Sequence, residues 1–252
     1  MKQFRPLKIE RIEPETSDSV RIALAVPAEH ESEYEFLPGQ HLPFEIEISG
    51  RKLRRTYSIC SGVDERPLEI GIRVQPGGAF SEHAASGLSV GDTLDAMPPA
   101  GHFHADLDKA NAKDYLGFAA GSGITPLLSM IKSVLEVEPH SRFTLFYGNR
   151  KQSTTMFIED LYALKNRYPE RLQLHFVFSR EDQEFPIAAG RLDAAKVREL
   201  WEHFCKGLSP DEAFVCGPDT MIQAVTGTLV DLGMSADHVH SDRFGVPRGE
   251  SA

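Results

Sequence analysis

Hydrophobic and polar positions change rhythm once along this chain. Up to about residue 104 the rhythm is two. Val20-Arg21-Ile22-Ala23-Leu24, Phe44-Glu45-Ile46-Glu47-Ile48 and Leu68-Glu69-Ile70-Gly71-Ile72-Arg73-Val74 carry large apolar side chains at every second position. That spacing turns one face of a strand to a core and the other to water. Turn signals separate the runs: Pro38-Gly39, Ser49-Gly50, Pro76-Gly77-Gly78, Gly91-Asp92 and Pro98-Pro99. Many short strands between regular turns predict a closed antiparallel barrel, interrupted by one helix over residues 79–85.

Residues 105–113 are polar, lack either rhythm and read as a linker. Beyond them apolar runs alternate with helical stripes. Strands are predicted over 115–119, 143–147, 172–178 and 213–216, and helices over 127–137, 154–168, 193–204 and 219–232. In the second helix Phe157, Leu161 and Leu164 share a face. This alternation predicts a parallel sheet covered on both faces, with ligands at the carboxyl ends of its strands. The expected domains are 1–104 and 112–252. The tail after Phe244 reads as a linker or loose end.

Composition narrows the function classes. The 252 residues suffice for one large or two ordinary domains, and 41% hydrophobic with 25% charged residues suits a soluble globular protein. Cys60, Cys205 and Cys216 form neither a metal clip nor a disulfide framework, which points to a reducing cytoplasm. Three thiols are too few for an iron–sulfur cluster held by this chain alone. A net charge of −10 argues against nucleic acid as a partner. There is no apolar leader region, no run long enough to span a membrane, and no metal-ligand spacing among the ten histidines.

The chemistry-bearing residues cluster at predicted strand ends. In Arg55-Thr56-Tyr57-Ser58 the guanidinium suits a pyrophosphate oxygen and the tyrosine ring suits a flat aromatic cofactor. An ordinary edge strand with a half-buried tyrosine is the plainer alternative. In Arg73-Val74-Gln75-Pro76-Gly77-Gly78-Ala79-Phe80-Ser81, two glycines before a helix let backbone N–H groups approach an anion. Ser81 then either caps the helix or donates to phosphate. That segment favours FAD over FMN, because a mononucleotide has no pyrophosphate to hold.

Gly121-Ser122-Gly123-Ile124-Thr125-Pro126 lacks the third glycine of the dinucleotide fingerprint. It does provide a tight turn, with Thr125 as expected N-cap and Pro126 as first helical residue. Cys216-Gly217-Pro218 repeats the strand–turn–helix pattern, with Cys216 either a small buried hydrophobe or a cofactor neighbour. Asn149-Arg150 and Ser179-Arg180 end the next two strands. Two arginines and a serine there suit a phosphate on an adenosine ribose, and hence NADPH over NADH.

Taken in order, Arg55-Thr56-Tyr57-Ser58, Pro76 to Ser81, Gly121 to Pro126, Tyr147-Gly148-Asn149-Arg150, Phe178-Ser179-Arg180-Glu181 and Cys216-Gly217-Pro218 resemble the ferredoxin–NADP reductase superfamily. The resemblance runs from about Phe4 to Phe244. Between Tyr147 and Ser179 it is most similar to ring-oxygenase reductases of the phenylacetyl-CoA epoxidase type. It implies an N-terminal antiparallel Greek-key β-barrel that binds flavin and a C-terminal Rossmann-like parallel sheet that binds NADP.

By the same resemblance, Arg55 holds flavin phosphate, Tyr57 stacks on flavin and Ser58 stands near flavin N5. Gly77, Gly78 and Ser81 hold pyrophosphate. Gly123, Thr125, Cys216 and Gly217 flank the nicotinamide, and Arg150, Ser179 and Arg180 meet the adenosine phosphate. Phe244 closes the flavin face. Thr56, Arg73, Phe80, Gly121 and Asn149 lie in the same motifs and are counted with the cofactor contacts. The implied activity is an FAD-dependent NADPH reductase feeding a ferredoxin-like or flavodoxin-like acceptor. Reductases of this type continue past a segment like Asp242-Arg243-Phe244-Gly245 into a ferredoxin domain. This chain stops there, which suggests either a stand-alone reductase or a truncated or separately expressed module. The competing expectation is a flavin-binding electron-transfer protein with little reactivity toward NAD(P)H.

Overall fold

The computed structural model describes residues 3–48 and 50–243. Six antiparallel strands form the first sheet: β1 (Arg5–Thr16), β2 (Ser19–Ala25), β3 (His41–Ile48), β4 (Arg51–Ser58), β5 (Leu68–Arg73) and β6 (Thr93–Ala96), in the order β4-β3-β6-β1-β2-β5. The chain beyond β4 closes the barrel: Ile59 bridges Ile70, and Cys60 N–H donates to Glu69 O at 2.8 Å. Leu7, Ile9, Ile22, Leu42, Phe44 and Ile70 fill the interior. Helix α1 (Ala79–Ser86) packs against β2, β3 and β5 and adds Phe80 and Ala84 to that core. The long β1 escapes a simple period-two reading because its register shifts between Ile9 and Arg11.

The second sheet is parallel throughout: β7 (Asp114–Ala120), β8 (Arg142–Asn149), β9 (Leu172–Phe178), β10 (Glu212–Cys216) and β11 (Val239–Asp242), in the order β11-β10-β7-β8-β9. Helices α2 (Ile124–Val137), α3 (Ile158–Arg167), α4 (Ala194–Leu200) and α5 (Asp219–Asp231) connect them. Tyr115, Leu127, Ile131 and Phe143 belong to one apolar layer, and Phe118, Phe146, Val197 and Val225 to another. The chain lays β8 and β9 on one side of β7, then returns to place β10 and β11 on the other. The strand order therefore reverses between β7 and β10, where open α/β sheets bind ligands.

Three helix boundaries differ by more than one residue from the sequence reading. Helix α2 starts at Ile124, not after Thr125, because a 3-10 turn over Gly121–Gly123 runs directly into it. Helix α3 starts at Ile158, and Phe157 before it has a left-handed φ of 58°. The 193–204 helix is α-helical only to Leu200 and continues as a π turn over Trp201–Cys205. Strand β11 has one large apolar residue, Val239, and so little rhythm to read. Among the described residues no helix is long and apolar enough to cross a membrane.

One histidine gives the fold an acid-sensitive point. The His175 ring stacks on Phe146 at 5.1 Å and on Phe204 at 3.8 Å. Burial, assisted by Lys165, lowers its pKa from 6.5 to about 4. The unfolded chain then binds a proton below pH 6.5 that the folded chain refuses, so stability is lost as pH falls from 6.5 toward 4. After allowance for partial exposure the loss is roughly 2 kcal/mol. Urea unfolding at neutral pH and near the lower limit should show it, and His175→Phe should flatten the slope. An unchanged slope in that variant would assign the acid loss elsewhere.

Candidate functional site

Two loop–helix junctions meet at the strand-order reversal. Gly121–Gly123 follows β7, and Cys216-Gly217 follows β10. A Cβ on Gly123 would lie 2.1 Å from Cys216 O and 3.0 Å from Gly217 N. A Cβ on Gly217 would lie 2.9 Å from Met221 Cε and 3.2 Å from Ala120 Cβ. Both glycines therefore permit a close backbone approach. The first junction is fixed by two hydroxyls: Tyr147 OH donates to Gly121 O at 2.9 Å, and Thr125 Oγ1 donates to Ser122 O at 2.8 Å. Thr125 is thus a buried brace of the turn rather than its cap.

Cys216 is fully buried, and burial, with Asp242 adding, pushes its pKa well above the usual thiol value. It remains a thiol and offers no nucleophile. The Gly121–Gly123 turn also packs against β5 of the barrel. The switch point of one domain thereby faces the other.

On the barrel, Tyr57 is half-buried, its ring 5.2 Å from Phe80 and 6.2 Å from Phe44. Burial, opposed by Arg55, raises its pKa to about 12, so it stays neutral. Phe80 is itself buried and backs Tyr57 from within the core. Ser58 is buried and pairs in register with His41. Thr56 is exposed. Arg55 is partly exposed, with Nη1 donating to Arg54 O at 2.7 Å.

In the glycine turn before α1, Gly77 has φ 76° and its N–H donates to Glu82 Oε1 at 2.7 Å. Ser81 Oγ accepts from Gln75 N–H at 3.0 Å and donates to Gly78 O at 3.1 Å. A Cβ on Gly78 would fall 2.6 Å from that Oγ, so Gly78 and Ser81 are matched. Arg73 points elsewhere: it pairs with Asp18 at 2.9 Å and donates to Thr154 O at 2.8 Å.

The ends of β8 and β9 are stapled past the strands. Ser179 N–H donates to Asn149 O and Arg180 N–H to Arg150 O, each at 3.0 Å. The arrangement brings exposed Arg150 and Arg180 together beside half-buried Ser179. Asn149 is buried, and among the described residues its Nδ2 has Tyr147 nearby but makes no well-formed hydrogen bond. A buried amide donor so weakly satisfied suits a ligand acceptor or water. Phe244 lies outside the described residues.

Sequence reasoning missed His41 and Asp242. Burial lowers the His41 pKa, and Asp242 works against that shift. Asp242 ends β11 opposite Cys216. His41 belongs to no local motif and Asp242 only opens the segment that ends in Gly245, so only the fold brings them beside Ser58 and Cys216.

Comparison with known proteins agrees with this geometry. Residues 6–105 match the oxidoreductase FAD-binding domain family, and residues 118–227 match the oxidoreductase NAD-binding domain family. The chain is 40% identical over 247 residues to a component of the 1,2-phenylacetyl-CoA epoxidase of Escherichia coli, covering 98% of this chain and 69% of the relative. It is 32% identical to the ferredoxin reductase component of 3-ketosteroid-9-alpha-monooxygenase from Rhodococcus rhodochrous, covering 97% and 66%. It thus spans about two thirds of the length of these relatives. The fold matches the FAD/NAD-binding domain of nitric oxide dioxygenase from Vibrio cholerae with a TM-score of 0.80 at 19% identity, covering 97% of this chain and all of that one. Two nucleotide-binding domains joined in this way define a flavin- and pyridine-nucleotide-dependent oxidoreductase. The chain belongs to the ferredoxin reductase-type FAD/NAD-binding flavoproteins.

Proposed function

We propose that this chain is an FAD-containing NADPH reductase that supplies electrons to an oxygenase, through an iron–sulfur or flavodoxin-like acceptor. The carrying observation is the Gly123–Cys216 junction at the sheet's switch point, packed against the barrel strand β5. The relatives named as epoxidase and monooxygenase components support an oxygenase as the final destination, with an aromatic-CoA oxygenase first among the choices.

The residues present fit the two nucleotides. Tyr57 offers a neutral half-exposed ring held from behind by Phe80, and Arg55 offers a guanidinium beside it. The Gly77-Gly78 turn before α1 would take a pyrophosphate once the Gly77 N–H leaves the Glu82 carboxylate, with Ser81 bracing the turn, and a pyrophosphate there favours FAD over FMN. When bound, the flavin supplies hydride acceptance and single-electron release. Gly123 and Gly217 let the two junctions pack directly on each other, which sets where a nicotinamide ring would lie. Ser58 and Cys216 shape the space between the domains with small, neutral side chains. Thr125 keeps the turn in place. Asn149, Arg150, Ser179 and Arg180 take the adenosine end, and the paired arginines favour a ribose phosphate. Phe244 is proposed to cover the flavin face until the nicotinamide displaces it. Residues 1–104 and 112–252 would be the two working domains, and the three buried free cysteines suit a reducing cytoplasm.

An anaerobic stopped-flow experiment tests this reading. Protein purified with its flavin should release FAD on denaturation. Its yellow band should bleach with NADPH at least tenfold faster than with NADH, the scale expected for one recognised phosphate. Arg150→Ala with Arg180→Ala should erase most of that preference. A flavin that neither nucleotide bleaches would identify a non-catalytic electron-transfer protein instead.

A further inference from the structure

Between β8 and α3 the chain takes an irregular course. A 3-10 turn over Gln152–Thr154 is followed by Phe157 in left-handed backbone at φ 58°. Phenylalanine rarely adopts that conformation, and it persists only where surroundings over-determine it. The Phe157 ring belongs to the core of its own domain, but the barrel meets it as well. Glu15 Oε1 accepts the Phe157 N–H at 2.7 Å. The Arg21 guanidinium lies over the Phe157 ring, 4.8 Å from its centroid, and pairs with Asp160 in the following turn. Gly71 leaves room for that ring, since a Cβ there would lie 2.5 Å from Phe157 Cζ. Arg73 Nη2 holds Thr154 O at 2.8 Å.

Glu15, Arg21, Gly71 and Arg73 sit on β1, β2 and β5, which are neighbours in the barrel. Three adjacent strands thus grip one short segment of the other domain. From within its own domain, Tyr147 OH ties the same segment to Gly121, bonding Met156 O at 3.3 Å and Gly121 O at 2.9 Å. The gripped residues Thr154 and Phe157 follow Arg150 by four and seven positions. A single phenol therefore links the grip to the nicotinamide-side turn, and chain continuity links it to the adenosine end.

We propose that Glu15, Arg21, Gly71 and Arg73 are positioning residues for the pyridine nucleotide. They act from the flavin domain through the strained turn at Phe157, and they set where Asn149, Arg150 and the Gly121 turn stand. Arg73 then serves the cofactors through Thr154 rather than by touching them. The nucleotide part of this inference rests on the proposed function above; the grip itself does not.

The test uses the FAD-loaded full chain and four variants. Glu15→Ala and Arg73→Met break the grip. Glu15→Gln retains an oxygen for the Phe157 N–H, and Asp18→Asn leaves Arg73 free to hold Thr154. Amide exchange of residues 150–157 and the dissociation constant for NADP+ are measured for each. Glu15→Ala and Arg73→Met should speed exchange and weaken NADP+ binding, each by about tenfold, with FAD content unchanged. Asp18→Asn should stay near wild type, and Glu15→Gln, which keeps the Phe157 acceptor but loses the charge paired with Arg21 at 2.8 Å, should recover most of the Glu15→Ala loss. Unchanged exchange would show that no grip exists. Faster exchange with unaltered NADP+ binding would make the grip merely structural, and either result overturns the proposal. A wild-type chain that holds FAD yet binds neither NADP+ nor NAD+ would defeat the reductase reading first. That failure is visible before any variant is made, and it takes the positioning role with it.

Discussion

Gly123→Ala is expected to slow flavin reduction by pyridine nucleotide by a factor on the order of 100 or more, while leaving FAD content unchanged. The added methyl would sit 2.1 Å from Cys216 O and 2.5 Å from Cys216 C, both backbone atoms. No rotamer change relieves a clash of backbone with a Cβ, so the two junctions must separate by roughly 1 Å to reach ordinary contact. They carry the nicotinamide-side residues, and a displacement of that size is large on the scale of hydride-transfer geometry. The flavin contacts proposed on β4 and before α1 lie on other elements and should survive. Absorbance of the purified variant reports FAD content, and stopped-flow with NADPH reports reduction. A near-wild-type rate would remove this junction from the nucleotide site. Loss of FAD as well would mean that the junction supports the whole interface.

The second large effect concerns stability. Glu138 is completely buried and accepts from four donors. Tyr115 OH lies at 3.1 Å, Ser141 Oγ at 2.7 Å, Asn111 Nδ2 at 2.7 Å and Asp108 N–H at 3.1 Å. Two of these partners, Asp108 and Asn111, belong to the segment between the two sheets, so one carboxylate ties that segment to the end of α2. Glu138→Ala strands buried donors and opens a cavity, at a cost of about 3–5 kcal/mol. For a chain of this size that lowers Tm by roughly 10 °C. Glu138→Gln keeps one acceptor oxygen for Asp108 N–H and Asn111 Nδ2, and the Tyr115 and Ser141 hydroxyls can turn to accept from the new amide, so it should recover more than half of the loss. Thermal denaturation of the FAD-loaded protein decides it. A loss below about 1 kcal/mol would mean that water replaces the carboxylate and the network is not needed.

The sequence was legible where the physics is local. Period-two runs such as residues 44–48 became strands because alternating burial is a property of a strand and its nearest partner. The apolar run that became β7 and the glycine turn after it were readable because a strand buried on both faces needs no polar positions. Gly77 at φ 76° occupies a turn that its neighbours announce. The same locality explains the failures. Thr125 has the composition of a cap, but the preceding 3-10 turn had already started the helix. Phe157 has the spacing of a helical residue, but its N–H is taken by Glu15, 142 positions away.

By itself, then, the sequence determined two domains of different rhythm, the chemistry available at their strand ends and the order in which that chemistry appears. Only the tertiary structure decided which strand ends meet. It placed Gly123 against Cys216, turned Arg73 from the glycine turn to Thr154, and brought Asp242 within electrostatic reach of His41. Each of these contacts joins residues far apart in the chain, 81 positions in the case of Arg73 and Thr154. Neighbouring residues carry no trace of such a contact, because its geometry is set by how whole sheets pack and not by local propensity.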